Sequence, residues 1–560
     1  MKNYLFPAVA IAAALLTGCN DNQKEMQTLQ QIIDKTEQAY IPLQKVASEA
    51  SWKGSIYGDE AEFARQAEAS KALTALFSDK ETFEALKAIK EGGKVTDPLL
   101  KRQLDVYYSR FLSNQADTAL LNELIERETA LDQKYSSYRA TYKGKEVNDN
   151  VVVNTLKEST NNADLEEIWK GHKAIGPVVA QDVIEIVRLR NKVAKELGFE
   201  NFHTMSLMLS EQDPAEISAL LDELDEMTRD GYAALKHEMD AAFAKRYGVA
   251  ESDLMPWHFQ DRFLQEAPNL YPVDLGKYYR DKNLEQLTTD FYASIGLDIT
   301  KMMAASDLYP RDKKNQHAFC TDIDGEGDVR VMCNITPSDY WMSTMLHEFG
   351  HAVYAMGHDA SGLPHSLRGA AHTFTTEAVA MIYERNAYKP AWMVKMGIID
   401  EKEAAAISDA CFNTLRIKQL VFSRWVQVVY RFEKALYADP EQDLNALWWQ
   451  LVEKYQMMKC PAGRNEPDWA SKIHIALYPC YYHNYLLGEL FASQMHYYIV
   501  NNITKSGDYR NECYFGNTEV GDWMRKNVFE VGMKYEWNDM IERATGEKLT
   551  AKYFKMQFVD

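Results

Sequence analysis

His347-Glu348-Phe349-Gly350-His351 places two imidazoles and a carboxylate within five residues, in the order H-E-x-x-H. Residues four apart share one face of an α-helix, so both imidazoles can bind one metal ion while Glu348 projects beside the open coordination position. A zinc ion bound in this way lowers the pKa of its water to about 7, and a carboxylate can take the proton as that water attacks a peptide carbonyl. The stretch predicts the metal helix of a zinc peptidase.

The residues that flank this motif are apolar on nearly all sides. They are Trp341, Met342, Met345 and Leu346 before it, and Ala352, Val353, Tyr354 and Met356 after it. Two histidines that lay on a solvated helix by chance would be surrounded by lysine and glutamate instead. The pattern favours a buried metal helix.

A catalytic zinc ion needs a third protein ligand, because three residues hold the metal and one position stays open. His358 returns to the same helix face, but seven residues beyond His351 it lies about 10 Å further along the axis and cannot reach the ion. Glu377 opens the next apolar segment, and a crossing helix could offer this carboxylate from its first turn. Glu377 is therefore the preferred third ligand, with the loop histidines His365 and His372 as alternatives.

The N-terminus has the pattern of a bacterial lipoprotein signal. Lys2 precedes an apolar run from Phe6 to Leu16, and Leu16-Thr17-Gly18-Cys19 resembles a lipobox. The run is shorter than the roughly 20 residues that a permanent membrane span needs. We expect residues 1–18 to be removed and Cys19 to be lipidated, so that the protein is anchored to a bacterial membrane and faces the periplasm or the cell exterior. An ordinary signal peptide with a coincidental cysteine is the alternative.

The rest of the chain has the composition of one large folded unit. It contains no second long apolar run, internal repeat or flexible linker, and its formal net charge is −20 without a basic stripe. A nucleic-acid partner is therefore not expected. We predict a short tether at 19–28 and a single domain at 29–560. This domain is expected to be monomeric and mainly α-helical, with two lobes around a deep central cleft.

The helical pattern is almost unbroken from Met26 to about Arg246. Within it, Asp213-Pro214-Ala215-Glu216 predicts a helix start, and Tyr247-Gly248 predicts the end of the same helix. The main exception in the chain is Gln316 to Ile335, which predicts a β-hairpin that turns at Gly325-Glu326-Gly327. An edge strand in this place could hold a peptide backbone by strand addition.

Six cysteines follow Cys19, too few for a disulfide scaffold. Cys320 and Cys333 lie symmetrically about the predicted turn, so a hairpin would set them opposite each other. They are the candidate disulfide pair. Free thiols are the alternative, because cross-strand disulfide geometry is demanding.

The stretch from His317 to Met381 resembles the angiotensin-converting-enzyme family of zinc peptidyl-dipeptidases. The matching residues are His317-Ala318, Asp328-Val329-Arg330-Val331-Met332-Cys333, His347-Glu348-Phe349-Gly350-His351, Leu363-Pro364-His365-Ser366-Leu367-Arg368-Gly369-Ala370 and Thr376-Glu377-Ala378. Further matches are Ser471-Lys472-Ile473-His474, Tyr482-His483-Asn484-Tyr485 and, more weakly, Pro256-Trp257-His258-Phe259-Gln260-Asp261. Oligopeptidases of the thimet type share the metal helix, the glutamate and a tyrosine-rich segment. The resemblance implies an all-α fold with a deep cleft.

The resemblance also implies chemical roles. His347, His351 and Glu377 would bind one zinc ion, and Glu348 would act as general base and later as acid. Tyr485 would stabilise the oxyanion, a role that needs a neutral donor aimed at the developing charge.

Substrate contacts follow from the same resemblance. His317 and His474 would hold the carbonyl next to the cut bond, and Ala318 would pair its backbone with the substrate. The residues that match the family's grip on the C-terminal carboxylate are Lys472, Tyr482 and Gln260, with Tyr481 as a rival for Tyr482. A solvated lysine and a core tyrosine are the simpler explanations of Lys472 and Tyr482.

Two positions depart from the family pattern. Asn484 stands where the family has a chloride-binding arginine, which puts chloride activation in doubt. Met381 stands where the family has an aspartate one turn after the zinc glutamate, so the groups that support the zinc histidines must differ.

The sequence therefore predicts a zinc peptidyl-dipeptidase that releases C-terminal dipeptides from oligopeptides outside the cytoplasm. An oligopeptidase that cuts internal bonds is the alternative, and Lys472 is the residue that distinguishes the two. An inactive peptide-binding lipoprotein is a third reading, which the complete set of catalytic residues disfavours.

Overall fold

The computed structural model describes residues 8–271 and 273–560, with side chains described from Asn22 onward. The signal peptide predicted at 1–18 and the lipidation predicted at Cys19 thus lie outside the residues described in full. Among the described residues, no helix is long and apolar enough to cross a membrane.

The chain is mainly α-helical, as predicted. Its N-terminal helices are α1 (Ala8–Tyr57), α2 (Glu60–Phe77), α3 (Lys80–Gly92), α4 (Pro98–Leu112), α5 (Thr118–Ser137), α6 (Asp149–Glu158), α7 (Asn162–Lys173), α8 (Ile175–Glu196), α9 (Phe202–Leu209) and α10 (Pro214–Tyr247). They are followed by α11 (Gly276–Tyr279), α12 (Leu284–Ser294), α13 (Thr300–Ala305), α14 (Asp339–Asp359), α15 (Thr373–Glu384), α16 (Pro390–Lys395) and α17 (Glu401–Ala438). The last are α18 (Leu444–Gln456), α19 (Ile473–Leu477), α20 (His483–Ile499), α21 (Thr518–Met524), α22 (Trp537–Thr545) and α23 (Lys552–Phe558).

Two small antiparallel hairpins are inserted among these helices. The first pairs β1 (Ala140–Tyr142) with β2 (Lys145–Val147), and the second pairs β3 (Phe319–Asp322) with β4 (Val329–Met332). The first hairpin interrupts the region that the sequence predicted as helical. Its three-residue strands are too short to show an alternating pattern.

The predicted boundaries of α10 are confirmed. The side chain of Asp213 accepts hydrogen bonds from the backbone amides of Ala215 (2.7 Å) and Glu216 (3.0 Å) at the helix start. Gly248 ends the helix at a φ of 65°, a left-handed conformation that costs glycine little. The segment 19–28, which the sequence predicted as a tether, lies within α1.

The predicted hairpin before the metal helix is also confirmed, but its disulfide is not. Cys320 pairs with Val331 across the ladder, and Cys333 lies beyond the end of β4, where its amide donates to the carbonyl of Asp307. Both cysteines are free thiols. The disulfide prediction was wrong because symmetry about a turn does not determine which residues become cross-strand partners.

Strand β3 is the edge strand of this hairpin. Beyond β4, Asp307 forms a parallel bridge to Met332 and covers the outer edge of that strand. Phe319 and Cys320 of β3, together with the preceding Ala318, line a cavity beside α14. The backbone of β3 therefore borders the space next to the metal motif.

Three helices approach each other closely around that motif. A Cβ atom added to Gly350 of α14 would lie 2.8 Å from the Cα atom of Ala380 in α15. A Cβ atom added to Gly488 of α20 would lie 3.2 Å from the Cβ atom of Glu377 in α15. The absence of a side chain at these two positions lets the helix backbones come close enough for their polar side chains to meet.

We expect Gly350→Ala to destabilise the protein by about 1–3 kcal/mol, because the new methyl group would collide with the backbone of α15. The collision should also move α14 away from α15 and so lower zinc retention. Unfolding midpoints and zinc content of the purified protein measure both effects. Gly276→Ala is the matched control, since the nearest atom to its added Cβ lies 3.4 Å away. Equal effects of the two substitutions would contradict this account.

Candidate metal centre and substrate cleft

His347 and His351 of α14 and Glu377 of α15 bring one donor atom each to a common point. The Nε2 atoms of the two histidines are 3.1 Å apart. Oε2 of Glu377 lies 3.7 Å from Nε2 of His347 and 3.9 Å from Nε2 of His351. Ligands of a tetrahedral zinc ion, bound at about 2.0–2.1 Å, are separated by roughly 3.3 Å. These donors fit zinc with small adjustments and leave a fourth position open.

Helix α15 starts earlier than the sequence indicated. It begins at Thr373, and the imidazole of His372 accepts a hydrogen bond from the backbone amide of Phe374 (3.2 Å) as the helix cap. Glu377 is therefore one turn inside the helix rather than at its start. His365, the other alternative ligand, packs against Tyr40 with 6.0 Å between ring centroids. Neither loop histidine joins the three donors.

The outer nitrogens of the two imidazoles are held by α15. Nδ1 of His347 lies 2.6 Å from Oε2 of Glu384, and Nδ1 of His351 lies 2.7 Å from Oγ1 of Thr376. Such contacts fix the ring orientation of metal-binding histidines. Glu384 thus supplies the supporting carboxylate that is missing at the position of Met381. Its position seven residues, or two turns, after Glu377 is the signal that could have identified it from the sequence.

Glu384 is a carboxylate in spite of its burial. Desolvation would raise its pKa, but the charge of Lys418 and the hydrogen bond from His347 outweigh that effect and lower the pKa to about 2. Nζ of Lys418 lies 3.4 Å from Oε1 of Glu384. The anion can therefore accept a hydrogen bond from His347 and leave Nε2 of that ring free for a metal.

Glu348 lies in the same cavity as the donors, a space of about 430 Å³ that β3 borders. Burial is the main cause that raises its pKa to about 7, and the charges of Glu377 and Glu384 contribute, against the lowering effect of His347. A carboxyl group in this environment can both take up and release a proton.

A second cavity of about 690 Å³ extends from α15 toward α20. His474, Tyr482 and Tyr485 line it together with Gln265. The ring of Tyr482 lies 5.2 Å from that of His474 and 5.6 Å from that of Tyr485. Burial and then the charge of Glu377 raise the pKa of Tyr485, so its phenol is a neutral hydrogen-bond donor.

Lys472 lies behind the wall of this cavity and is 6% exposed. Its Nζ atom is 5.2 Å from the ring centroid of Tyr482, 5.5 Å from that of Trp425 and 5.6 Å from that of Phe263. Burial lowers its pKa to about 8, although Asp261 raises it. The lysine is therefore not a solvated surface residue. Tyr482 is the tyrosine beside it, while Tyr481 packs on Tyr485 with 5.4 Å between ring centroids.

Gln260 does not take part in this group, contrary to the prediction. It ends a short 3-10 helix at a φ of 62°, and its side chain binds the backbone of Asn269 (2.9 Å) and of Lys157 (3.3 Å). Gln265 accepts the hydrogen bond from Lys472 instead. The backbone bends at 260–264, where the side chain of Asp261 accepts hydrogen bonds from the amides of Phe263 and Gln265 (2.9 Å each), and no spacing in the sequence reveals that.

The two residues before β3 have different surroundings. Ala318 lines the smaller cavity, as the prediction of backbone pairing requires. His317 is exposed and lines neither cavity, so the structure does not bring it to the donors. The side chain of Asn315 binds its backbone amide (3.0 Å) where the chain enters the hairpin.

A family model described as angiotensin-converting enzyme matches residues 23–260 and 268–558. The chain belongs to the angiotensin-converting-enzyme family. Members of this family are zinc-dependent metallopeptidases.

Individual relatives are distant. The chain is 23% identical over 507 residues to angiotensin-converting enzyme of Rattus norvegicus. This alignment covers 84% of the present chain and 36% of the rat protein. It is 22% identical over 518 residues to the enzyme of Theromyzon tessulatum, covering 85% of this chain and 83% of the relative. Carboxypeptidase 1 of Bacillus subtilis is 21% identical over 483 residues, covering 82% of this chain and 85% of the relative. The chain thus spans about a third of the rat protein but most of the other two.

We expect Glu384→Gln to weaken zinc binding about 10- to 100-fold, because an amide holds the imidazole of His347 less strongly than a carboxylate does. Competition with a chelator measures the zinc affinity. Glu401→Gln, an exposed glutamate of α17, is the control and should leave the affinity unchanged. Unaltered zinc affinity in Glu384→Gln would show that this contact does not support the metal.

Proposed function

We propose that this family member is a zinc peptidyl-dipeptidase that removes dipeptides from the C-termini of oligopeptides. The observation that carries the proposal is Lys472, a buried cation behind the wall of the larger cavity. Its neighbours Gln265 and Tyr482 are neutral hydrogen-bonding residues. A substrate carboxylate is the anion that such a group can recognise, because a point cation and neutral donors satisfy its oxygens.

The catalytic roles rest on the placement of five residues. His347, His351 and Glu377 would hold zinc, which when bound supplies the Lewis acidity that activates water for attack on a peptide carbonyl. Glu348 would accept the proton of the attacking water and pass it to the leaving amine. Tyr485 would donate to the oxygen that becomes negative in the transition state, where a fixed donor has most effect.

Substrate orientation is assigned to β3 and to His474. The open edge of β3 could add the substrate as a further strand, with Ala318 as the pairing residue. Burial and Lys472 lower the pKa of His474 to about 4, so its ring is neutral and can bind a carbonyl without competing for the carboxylate. His317 stays a candidate only if the hairpin moves when peptide binds.

Two further features belong to the proposal. The N-terminal pattern supports a lipid-anchored protein that acts outside the cytoplasm. Asn484 is buried, and its Oδ1 accepts a hydrogen bond from Gln212 (2.7 Å). Because this pair is neutral, we propose that activity does not depend on chloride at this position.

The assignment of zinc ligand and proton carrier predicts opposite behaviour of two glutamates. Glu377→Gln should lose zinc, whereas Glu348→Gln should keep zinc and peptide binding but lose turnover by about 10²–10⁴-fold or more. Metal analysis and kcat measurement separate the two outcomes. Full zinc content and activity in Glu377→Gln would place the third ligand elsewhere.

Recognition of the substrate's C-terminal carboxylate predicts which peptide bond the enzyme cleaves. Free-acid peptides should yield successive dipeptides, and C-terminal amidation should raise KM sharply. Removing one partner of a buried charge pair costs roughly 3–5 kcal/mol, so Lys472→Met should raise KM for free-acid peptides by about 100-fold or more. The same substitution should barely affect amidated peptides.

Mass spectrometry of the products and a matched variant test this grip. Lys454→Met, an exposed lysine of α18, should behave like the wild type. Release of single amino acids would favour a carboxypeptidase activity, the one named for the Bacillus relative. Cleavage of internal bonds that ignores amidation would favour the oligopeptidase alternative.

A further inference from the structure

A second group of metal-binding side chains lies outside the catalytic set. It consists of Asp322 at the end of β3 and of His358 and Asp359 at the end of α14. One ligand atom from each lies within 4.8 Å of the others. His358 is too far along α14 to join the catalytic donors, and the hairpin supplies its partner instead.

Two polar atoms of this group are buried without hydrogen-bond partners among the described residues. Nδ1 of His358 and Oδ1 of Asp359 are 3.1 Å apart, yet neither has a partner of acceptable geometry in the described part of the chain. The side chains are 10% and 3% exposed. An unsatisfied buried polar atom destabilises the folded state, and such atoms are rare in native proteins. A cation between them would satisfy both.

The other carboxylate oxygens are already oriented by the hairpin turn. The backbone amide of Gly327 donates to Oδ2 of Asp359 (2.8 Å), and that of Gly325 donates to Oδ1 of Asp322 (2.8 Å). These bonds hold one oxygen of each carboxylate and leave the other available to a cation. The arrangement resembles the outer contacts that orient ligands at metal sites.

Lysine and arginine side chains of the described residues do not balance the two carboxylates of this group. Nearby Lys301 and Arg368 bind the backbone carbonyls of Gly327 and Gly325. Among the residues with described side chains, no lysine or arginine forms an ion pair with Asp322 or Asp359.

We propose that Asp322, His358 and Asp359 form a second metal site that binds a divalent transition-metal ion such as zinc or manganese. Two carboxylates match the charge of such an ion, and the imidazole favours a transition metal over magnesium or calcium, which prefer oxygen ligands alone. Asp322 and His358 line the same cavity as Glu348, so an ion can enter through the cleft. The ion would tie β3 to α14 at the edge where peptide is proposed to bind.

Manganese binding to enzyme loaded with only one zinc ion per chain, at the catalytic donors, tests the site. Mn²⁺ binds a given site more weakly than Zn²⁺ and should leave the catalytic zinc in place. We expect electron paramagnetic resonance to show one bound Mn²⁺ per chain, and the thermal midpoint to rise with Mn²⁺ concentration. Asp322→Asn and His358→Gln should each weaken this binding at least 10-fold.

Two controls separate this site from the catalytic one. Asp328→Asn changes a carboxylate of the same hairpin that pairs with Arg330, and it should retain Mn²⁺ binding. Glu377→Gln should lose the catalytic zinc but keep the second site. The proposal fails if the zinc-loaded wild type binds no Mn²⁺, or if Asp322→Asn binds it as tightly as the wild type. If His358→Gln does not fold, the wild type and Asp322→Asn decide the question.

Discussion

The contact between α14 and α15 at Gly350 is the constraint on which the rest of the site depends. Side chains of α14 can supply two imidazoles on one face, but a third donor must come from a neighbouring helix at a distance of a few ångströms. The 2.8 Å that separates an added Cβ atom from Ala380 leaves no room for any side chain. Because the two backbones pack so closely, Glu377 of α15 lies near the imidazoles of α14.

The same crossing builds the electrostatic surroundings of the motif. Glu348, Glu377 and Glu384 are three carboxylates within one largely buried region, and each would repel the others if all were charged. Lys418 and His347 keep Glu384 ionised, whereas burial raises the pKa of Glu348 and Glu377. A bound divalent cation would relieve this repulsion. The fold therefore concentrates negative charge where a metal is needed.

The hairpin before α14 has consequences for two functions. Its strand β3 leaves one edge open beside the metal motif, and its turn orients Asp322 and Asp359 at the far end of α14. Both depend on the glycines of the turn, since Gly325 and Gly327 adopt φ angles of 66° and 98° and donate their amides to these carboxylates. One short element thus connects the peptide-binding edge with the proposed second cation site.

Local patterns in the sequence determined much of this protein. The spacing of His347 and His351, the caps of α10 and the turn of the hairpin depend only on neighbouring residues, so short stretches predict them. Resemblance to a known family supplied the rest of the candidate site, including Lys472 and Tyr485.

The tertiary structure alone decided which distant residues meet. Gln265 replaces Gln260 beside Lys472, Cys320 faces Val331 rather than Cys333, and His317 remains exposed. His358, which the helix axis separates from the catalytic donors, finds partners at the end of β3. Each outcome depends on loop direction, strand register or helix crossing. These are set by packing between segments far apart in the chain, which no local spacing encodes.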